Sequence, residues 1–332
     1  MKNEEYKIYF INFKGGEKMV KMYRTDMKTN QFSKVNDFER GTWINMVNPN
    51  EEEIEEICEE LKIDSDFIKY PLDYEEKARI DKEDDATLFI IDVPIIEEKD
   101  GKKLYTTMPL GMIVVRDDFF ITVSLRETSI IKDFEKGRIK NFYTYKKTRF
   151  ILQILYNNSS HFLSVLKQIN KQSEATVFLL QKSMRNRELI QLLDLENSLV
   201  YIATSLRSNE IVMEKCLNGR IIKLYNEDED ILDDAIVENK QAIEMSKIYS
   251  DILSGTMDAY ASIISNNLNV VMKFLAAITI VLSLPTMLAS FWGMNVANMP
   301  FTDNPYGFWI LIGISIIIAG VSAIWLKRRD MF

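Results

Sequence analysis

Cysteine and histidine are almost missing from this 332-residue chain, which has two cysteines, Cys58 and Cys216, and one histidine, His161. Two thiols so far apart exclude a disulfide framework and a Cys-rich zinc site. A single imidazole leaves no Cys/His set for a soft transition metal. Both cysteines read as ordinary buried thiols, and His161, inside a helical pattern, as a satisfied polar residue. No Walker glycine loop, no nucleophile motif and no pairing of carboxylates with a histidine occurs, so the chain does not read as an enzyme. The opening residues MKNEEYKIYF lack the apolar core of a signal peptide, so export of the N-terminal part is not expected. Basic residues do not dominate either: 41 Lys and Arg against 49 Asp and Glu give a net charge of −8, which argues against nucleic acid and suits divalent cations. The most telling absence lies near the end, where residues 274–326 hold no Lys or Arg and Asp303 is the only charge.

Two apolar stretches, 274–291 and 308–326, occupy that segment. At about 1.5 Å per helical residue each is long enough to cross a hydrocarbon core of roughly 30 Å. The expectation is an integral protein of the cell membrane, inner or plasma, that contacts the bilayer with both spans. At 47% hydrophobic and 27% charged, the rest of the chain belongs in water. Lys273 precedes the first span and Lys327, Arg328 and Arg329 follow the second. The positive-inside rule then puts both termini in the cytoplasm and the loop 292–307 outside.

Before the spans, segments 6–13, 18–24, 42–47, 87–96, 109–115 and 119–123 are rich in β-branched and aromatic residues and are punctuated by Gly-Gly, Asp-Gly and Asp-Asp pairs. Residues 50–61 read as a helix with Glu51, Glu52 and Glu53 at its positive end. From Thr148 glycine and proline are absent until Asn218 and Gly219, and Ile151, Leu155, Phe162, Leu166 and Ile169 recur at helical spacing. A second helix is expected over 188–216, stopped by Asn218 and Gly219. A third pattern starts after the acidic run 227–230, where Ala235, Ala242, Tyr249, Thr256, Ile263 and Val270 repeat every seven residues and no proline intervenes before Pro285. If it runs unbroken into the first span, this helix is on the order of 90 Å long. The expected fold is thus an α+β membrane protein with a cytosolic α/β domain over 1–135, long stalk helices over 136–272 and a two-helix membrane domain over 273–332.

Within the first span, Thr279, Ser283, Thr286 and Ser290 are spaced by four, three and four, which lines them along one helical face. Small-polar packing between helices explains such a stripe about as well as contact with water does. Two spans cannot enclose a pore, so a transport reading requires a symmetric homo-oligomer that sets identical residues in rings. At the outer end, Gly293 permits a backbone turn and Asn295 offers a neutral carbonyl. Mg²⁺ keeps several of its waters when bound, and a ring of carboxamides can hydrogen-bond those waters without stripping them.

The Gly293, Met294 and Asn295 tripeptide resembles the hallmark of the CorA family of magnesium transporters. Around it stand Met272 and Lys273, Pro285 and Thr286, Met299 and Pro300, and the Lys-Arg-Arg ending. The likeness extends to Trp43, Ile44 and Pro49, to Leu72 through Glu76, to Arg79 and Ile80, and to Leu110 and Gly111, nearly the whole chain. The resemblance implies a homopentamer with a funnel of long helices and a passive Mg²⁺ channel, Co²⁺ or Ni²⁺ being accidental cargo. It implies a filter at Gly293, Met294 and Asn295, and pore positions at Asn269, Met272, Leu275, Thr279, Ser283, Thr286 and Ser290. Met272 and Leu275 become the hydrophobic gate. It further implies regulatory Mg²⁺ bound between cytosolic domains, with Asp234 as one ligand and the partner carboxylate from Asp84 or Asp85, then Glu97, Glu98 or Asp100, of the next subunit. Two departures stand out: Thr279 and Ser283 are more polar than the mid-pore of better-known members, and Phe301 replaces a carboxylate after Met-Pro. The alternatives are a Zn²⁺ transporter of the same architecture and a membrane-anchored sensor or scaffold without flux.

Overall fold

The strands form where β-branched and aromatic residues cluster. The computed structural model describes residues 20–83, 85–99, 101–183, 186–218, 221–294, 296, 300 and 304–329; the run 6–13 lies outside them. In chain order the strands are β1 Val20–Thr25, β2 Phe32–Val35, β3 Thr42–Val47, β4 Arg79–Lys82, β5 Ala86–Lys99, β6 Lys102–Val115 and β7 Phe119–Ser124. They make a seven-stranded sheet in the order β2-β1-β3-β7-β6-β5-β4. Only β3 and β7 pair in parallel; the other neighbours are antiparallel. The short strands β2 and β4 were not expected from the sequence. Each is a four-residue edge strand whose register is set by the longer neighbour it pairs with rather than by its own composition.

Alternation along the strands divides the core in two. Trp43, Phe89, Ile91 and Val93 face one apolar cluster, while Ile44, Leu88 and Ile90 face another. The second cluster is covered by α1 Glu51–Leu61, through Ile54, Ile57 and Leu61, and by the short α2 Asp66–Lys69. Asn50 caps α1 in a reciprocal capping box with Glu53. Cys58 sits at the rim of that buried stripe and is partly exposed, which corrects the expectation of a buried thiol; Cys216 is buried as expected. The first cluster is covered by α3 Ser129–Glu135 and by the ends of three long helices, α4 Lys147–Ser183, α5 Asn186–Leu217 and α6 Asn226–Trp292. His161 on α4 meets Ser129 on α3, Nδ1 to Oγ 3.2 Å, and is satisfied as expected.

Two local devices fix this arrangement. Gly111 of β6 lies against the 3-10 turn Tyr70–Leu72; a Cβ there would stand 2.2 Å from Pro71 Cγ. The β6–β7 turn takes positive φ at both Arg116 and Asp117, the geometry that matches strand twist. It is held by the Lys147 ammonium, which donates to the Asp117 carbonyl, and by Arg116 N–H on Asp85 O at 2.8 Å. Burial pushes Lys147 below the usual lysine range, against the pull of Asp117 and Asp118.

The chain divides into two compact units, residues 1–254 and 255–332. In the first, α6 is anchored near its start: Ser159 Oγ donates to Ala235 O at 3.2 Å, and Asn239 Nδ2 to Leu206 O at 3.0 Å. The second holds the rest of α6 and α7 Gly307–Lys327, which are long and apolar enough to cross a membrane. No proline interrupts α6 before Pro285.

Candidate functional site

Around α6 the exposed and covered sides separate. Ala277 is fully buried, and Ile278, Val281, Leu284, Pro285, Leu288 and Trp292 are half-buried. Asn269, Met272, Leu275, Thr279, Ser283, Thr286 and Ser290 are all exposed. At about 100° per residue, the centre of the covered set and the centre of the Thr/Ser stripe are roughly 170° apart around the helix. Met272 and Leu275, each 57% exposed, fall on the stripe's side.

Three of the four hydroxyls on this stripe donate to their own helix. Thr279 Oγ1 donates to Leu275 O at 2.8 Å, Ser283 Oγ to Ile280 O at 3.1 Å and Thr286 Oγ1 to Leu282 O at 2.8 Å. A hydroxyl whose hydrogen is bound to its own helix presents lone pairs outward. Metal-bound water presents hydrogens, so the row is a set of acceptors suited to a hydrated cation. Pro285 has no N–H, so it leaves the Val281 carbonyl without its helical donor next to the same segment.

At the outer end, Gly293 N–H still bonds Ala289 O at 3.0 Å, and Met294 N–H tightens onto Phe291 O at 3.2 Å. Gly293 does not use the left-handed region, and a Cβ there would meet Ala289 O and Ser290 O at 3.4 and 3.6 Å, ordinary contacts. The expected backbone freedom is therefore not used at this glycine, and the space beside it would admit a Cβ. One contact escaped the sequence reading: Trp292 Nε1 donates to Pro300 O at 3.1 Å. Trp292 directly precedes the Gly-Met-Asn tripeptide, but nothing in the sequence names its acceptor. Asn295 and Asp303 lie outside the described residues.

The carboxylates expected to hold a regulatory ion do not form a cluster among the described residues of one chain. Asp234 is exposed on α6. Asp85 Oδ2 faces Arg116 Nε at 3.0 Å, and Glu97 Oε1 accepts from Arg126 Nη1 at 2.8 Å. Glu98 is exposed; Asp84 and Asp100 lie outside the described residues. Among the described residues no group of three or more His, Cys, Asp or Glu side chains is placed to hold a metal. Asp85 does line two open cavities of the first unit, of about 1650 and 400 Å³. On the larger, Arg149 approaches Glu227 and Asp228 at 3.5 and 3.8 Å, at the start of α6. Burial pushes the Asp228 carboxyl up, opposed by Arg149 and Lys146.

Residues 38–328 match the family model described as CorA-like Mg²⁺ transporter protein. A cobalt/magnesium transport protein CorA of Methanocaldococcus jannaschii is 25% identical over 300 residues, covering 88% of this chain and 91% of that protein. The complete structure of the CorA magnesium transporter from the same organism superposes with a TM-score of 0.81 at 21% identity, covering 95% of this chain and 99% of that one. The ZntB cytoplasmic domain from Vibrio parahaemolyticus shares the fold of 75% of this chain and covers 97% of its own, with a TM-score of 0.57 at 11% identity.

Proposed function

The chain belongs to the CorA family, and from that membership we propose that it is a passive, gated divalent-cation channel that admits Mg²⁺ to the cytoplasm. The observation that carries this reading is the row of Thr279, Ser283 and Thr286 hydroxyls, exposed on the side of α6 away from its covered face, with their hydrogens turned inward. Five copies related by cyclic symmetry turn this row into stacked rings of acceptors. Met272 and Leu275 form the dry gate below it, with Asn269 beneath the gate. Gly293, Met294 and Asn295 form the outer filter, where Asn295 carboxamides bind the waters of the ion rather than the ion itself. Both termini are cytoplasmic in this arrangement, and the cytosolic domain, stalk and membrane domain occupy 1–135, 136–272 and 273–332.

The driving force is the membrane potential. At −100 mV a doubly charged ion gains about 4.6 kcal/mol on entry, from about 2.3 kcal/mol per charge. Closure comes from Mg²⁺ held between Asp234 of one subunit and an acidic residue of the next, with Asp85 favoured by its place on both open cavities. Holding Mg²⁺ there requires Asp85 to loosen its pairing with Arg116.

Proteoliposomes holding the full chain test the reading under a Mg²⁺ gradient and, separately, a Zn²⁺ gradient. Mg²⁺ uptake that Asn295→Ala nearly abolishes is the expected result. Zn²⁺ uptake without Mg²⁺ uptake reassigns the cargo, and no flux of either overturns the channel.

A further inference from the structure

The last four basic residues of the chain stand at one end of the two apolar helices. Lys273 directly precedes the apolar stretch of α6, and Lys327, Arg328 and Arg329 follow that of α7. All four are exposed. Between Asp258 and Asp330 the only acidic residue is Asp303, in the loop that joins the opposite ends of these helices; Asp330 itself lies outside the described residues. Among the described residues none of the four is in an ion pair. In the first unit the habit is the reverse: seven arginines stand against a carboxylate, from Arg24 with Glu39 to Arg149 with Glu227.

An aromatic ring completes the cluster. Trp325 is 58% exposed, and the Arg329 guanidinium lies 5.7 Å from its ring centroid. Leu326 is buried, so the last turn of α7 has a covered side and an open one, with Ile324, Trp325 and Arg328 on the open side. Two ordinary causes leave the set unexplained. A helix C-terminus favours cations within its last turn, but Lys273 lies nineteen residues before α6 ends at Trp292. The positive-inside rule decides which side the cations take and leaves open what anion answers them.

At the boundary of the hydrocarbon that anion is lipid phosphate. A zwitterionic headgroup carries its own cation beside the phosphate, whereas an anionic phospholipid brings net negative charge to the surface. A guanidinium matches phosphate with a fork of N–H donors and can lie on an aromatic face while its edge donates. Tryptophan itself settles at headgroup depth.

We propose that the cytoplasmic end of α7 is a binding site for an anionic phospholipid. Arg328 and Arg329 hold the headgroup phosphate, Trp325 steadies Arg329, and Lys273 and Lys327 add charge at the same depth of the bilayer. The site rests on the two helices crossing a membrane with this end inward and not on conduction, so it stands whether or not the chain passes ions.

Native mass spectrometry of the full chain in nonionic detergent, titrated with phosphatidylglycerol or with phosphatidylcholine, counts the bound lipid. The wild type is expected to retain phosphatidylglycerol at the lower concentration. Each cation at such a surface is worth about fivefold in binding, so Arg328→Gln with Arg329→Gln lowers the phosphatidylglycerol affinity by about 25-fold. Its phosphatidylcholine count stays as in the wild type, which shows that the fold survives. Lys167→Gln with Arg207→Gln removes two exposed cations of the first unit and leaves both lipids unchanged. Equal retention of the two lipids by the wild type overturns the proposal. So does an unmoved phosphatidylglycerol affinity in Arg328→Gln with Arg329→Gln, a loss there that phosphatidylcholine shares, or an equal loss in Lys167→Gln with Arg207→Gln.

Discussion

Trp292 is a residue whose role its neighbours in sequence do not reveal. Its indole N–H is a donor only, and it reaches the carbonyl of Pro300, eight positions further along the chain. Removing one such bond costs about 1 kcal/mol, which corresponds to about a fivefold change in an equilibrium constant. Trp292→Phe keeps the ring and loses the donor. The half-saturating Mg²⁺ concentration for uptake into proteoliposomes is expected to rise by about that factor. An unchanged value means that the bond has no part in Mg²⁺ uptake. The stripe itself was legible, because a spacing of four, three and four admits only one helical face. The direction of each hydroxyl was not, because a rotamer is chosen by the local carbonyl and not by the spacing.

Among elements, β6 and the 3-10 turn Tyr70–Leu72 are fitted to each other through the missing side chain of Gly111. Pro71 is a rigid ring and cannot swing away, so Gly111→Ala forces backbone apart. The expected loss is about 1–3 kcal/mol, as for an overpacked core, read as a lower thermal midpoint of the purified chain. A variant as stable as the wild type shows that the turn yields. Strand β3 was readable to the residue, since all of its six residues but Asn45 are apolar or β-branched and all but Val47 are buried. The edges β2 and β4 were not, because a partner strand supplies what their composition lacks. Strands β5 and β6 extended past the expected runs for the same reason: they pair from Ala86 with Val115 to Lys99 with Lys102, carrying polar ends such as Glu97 and Lys103 along.

For the whole molecule, the proposed closure by Mg²⁺ makes assembly and regulation measurable together. The solution mass of the purified complex is expected to be that of five chains. Millimolar Mg²⁺ is expected to protect it from protease, and Asp234→Ala to lose most of that protection. Full protection in Asp234→Ala places the sensor elsewhere. The sequence by itself determined the membrane spans, the polar stripe, the long helix before it and the family likeness, because these are matters of local composition and helical period. Only the tertiary structure decided that the Asp92 backbone is gripped by Asn158 and Asn209, that Asp85 is already paired with Arg116, and that Trp292 donates to the Pro300 carbonyl. Those contacts join residues between 8 and 117 positions apart, and a separation of that kind leaves no periodic trace in the chain.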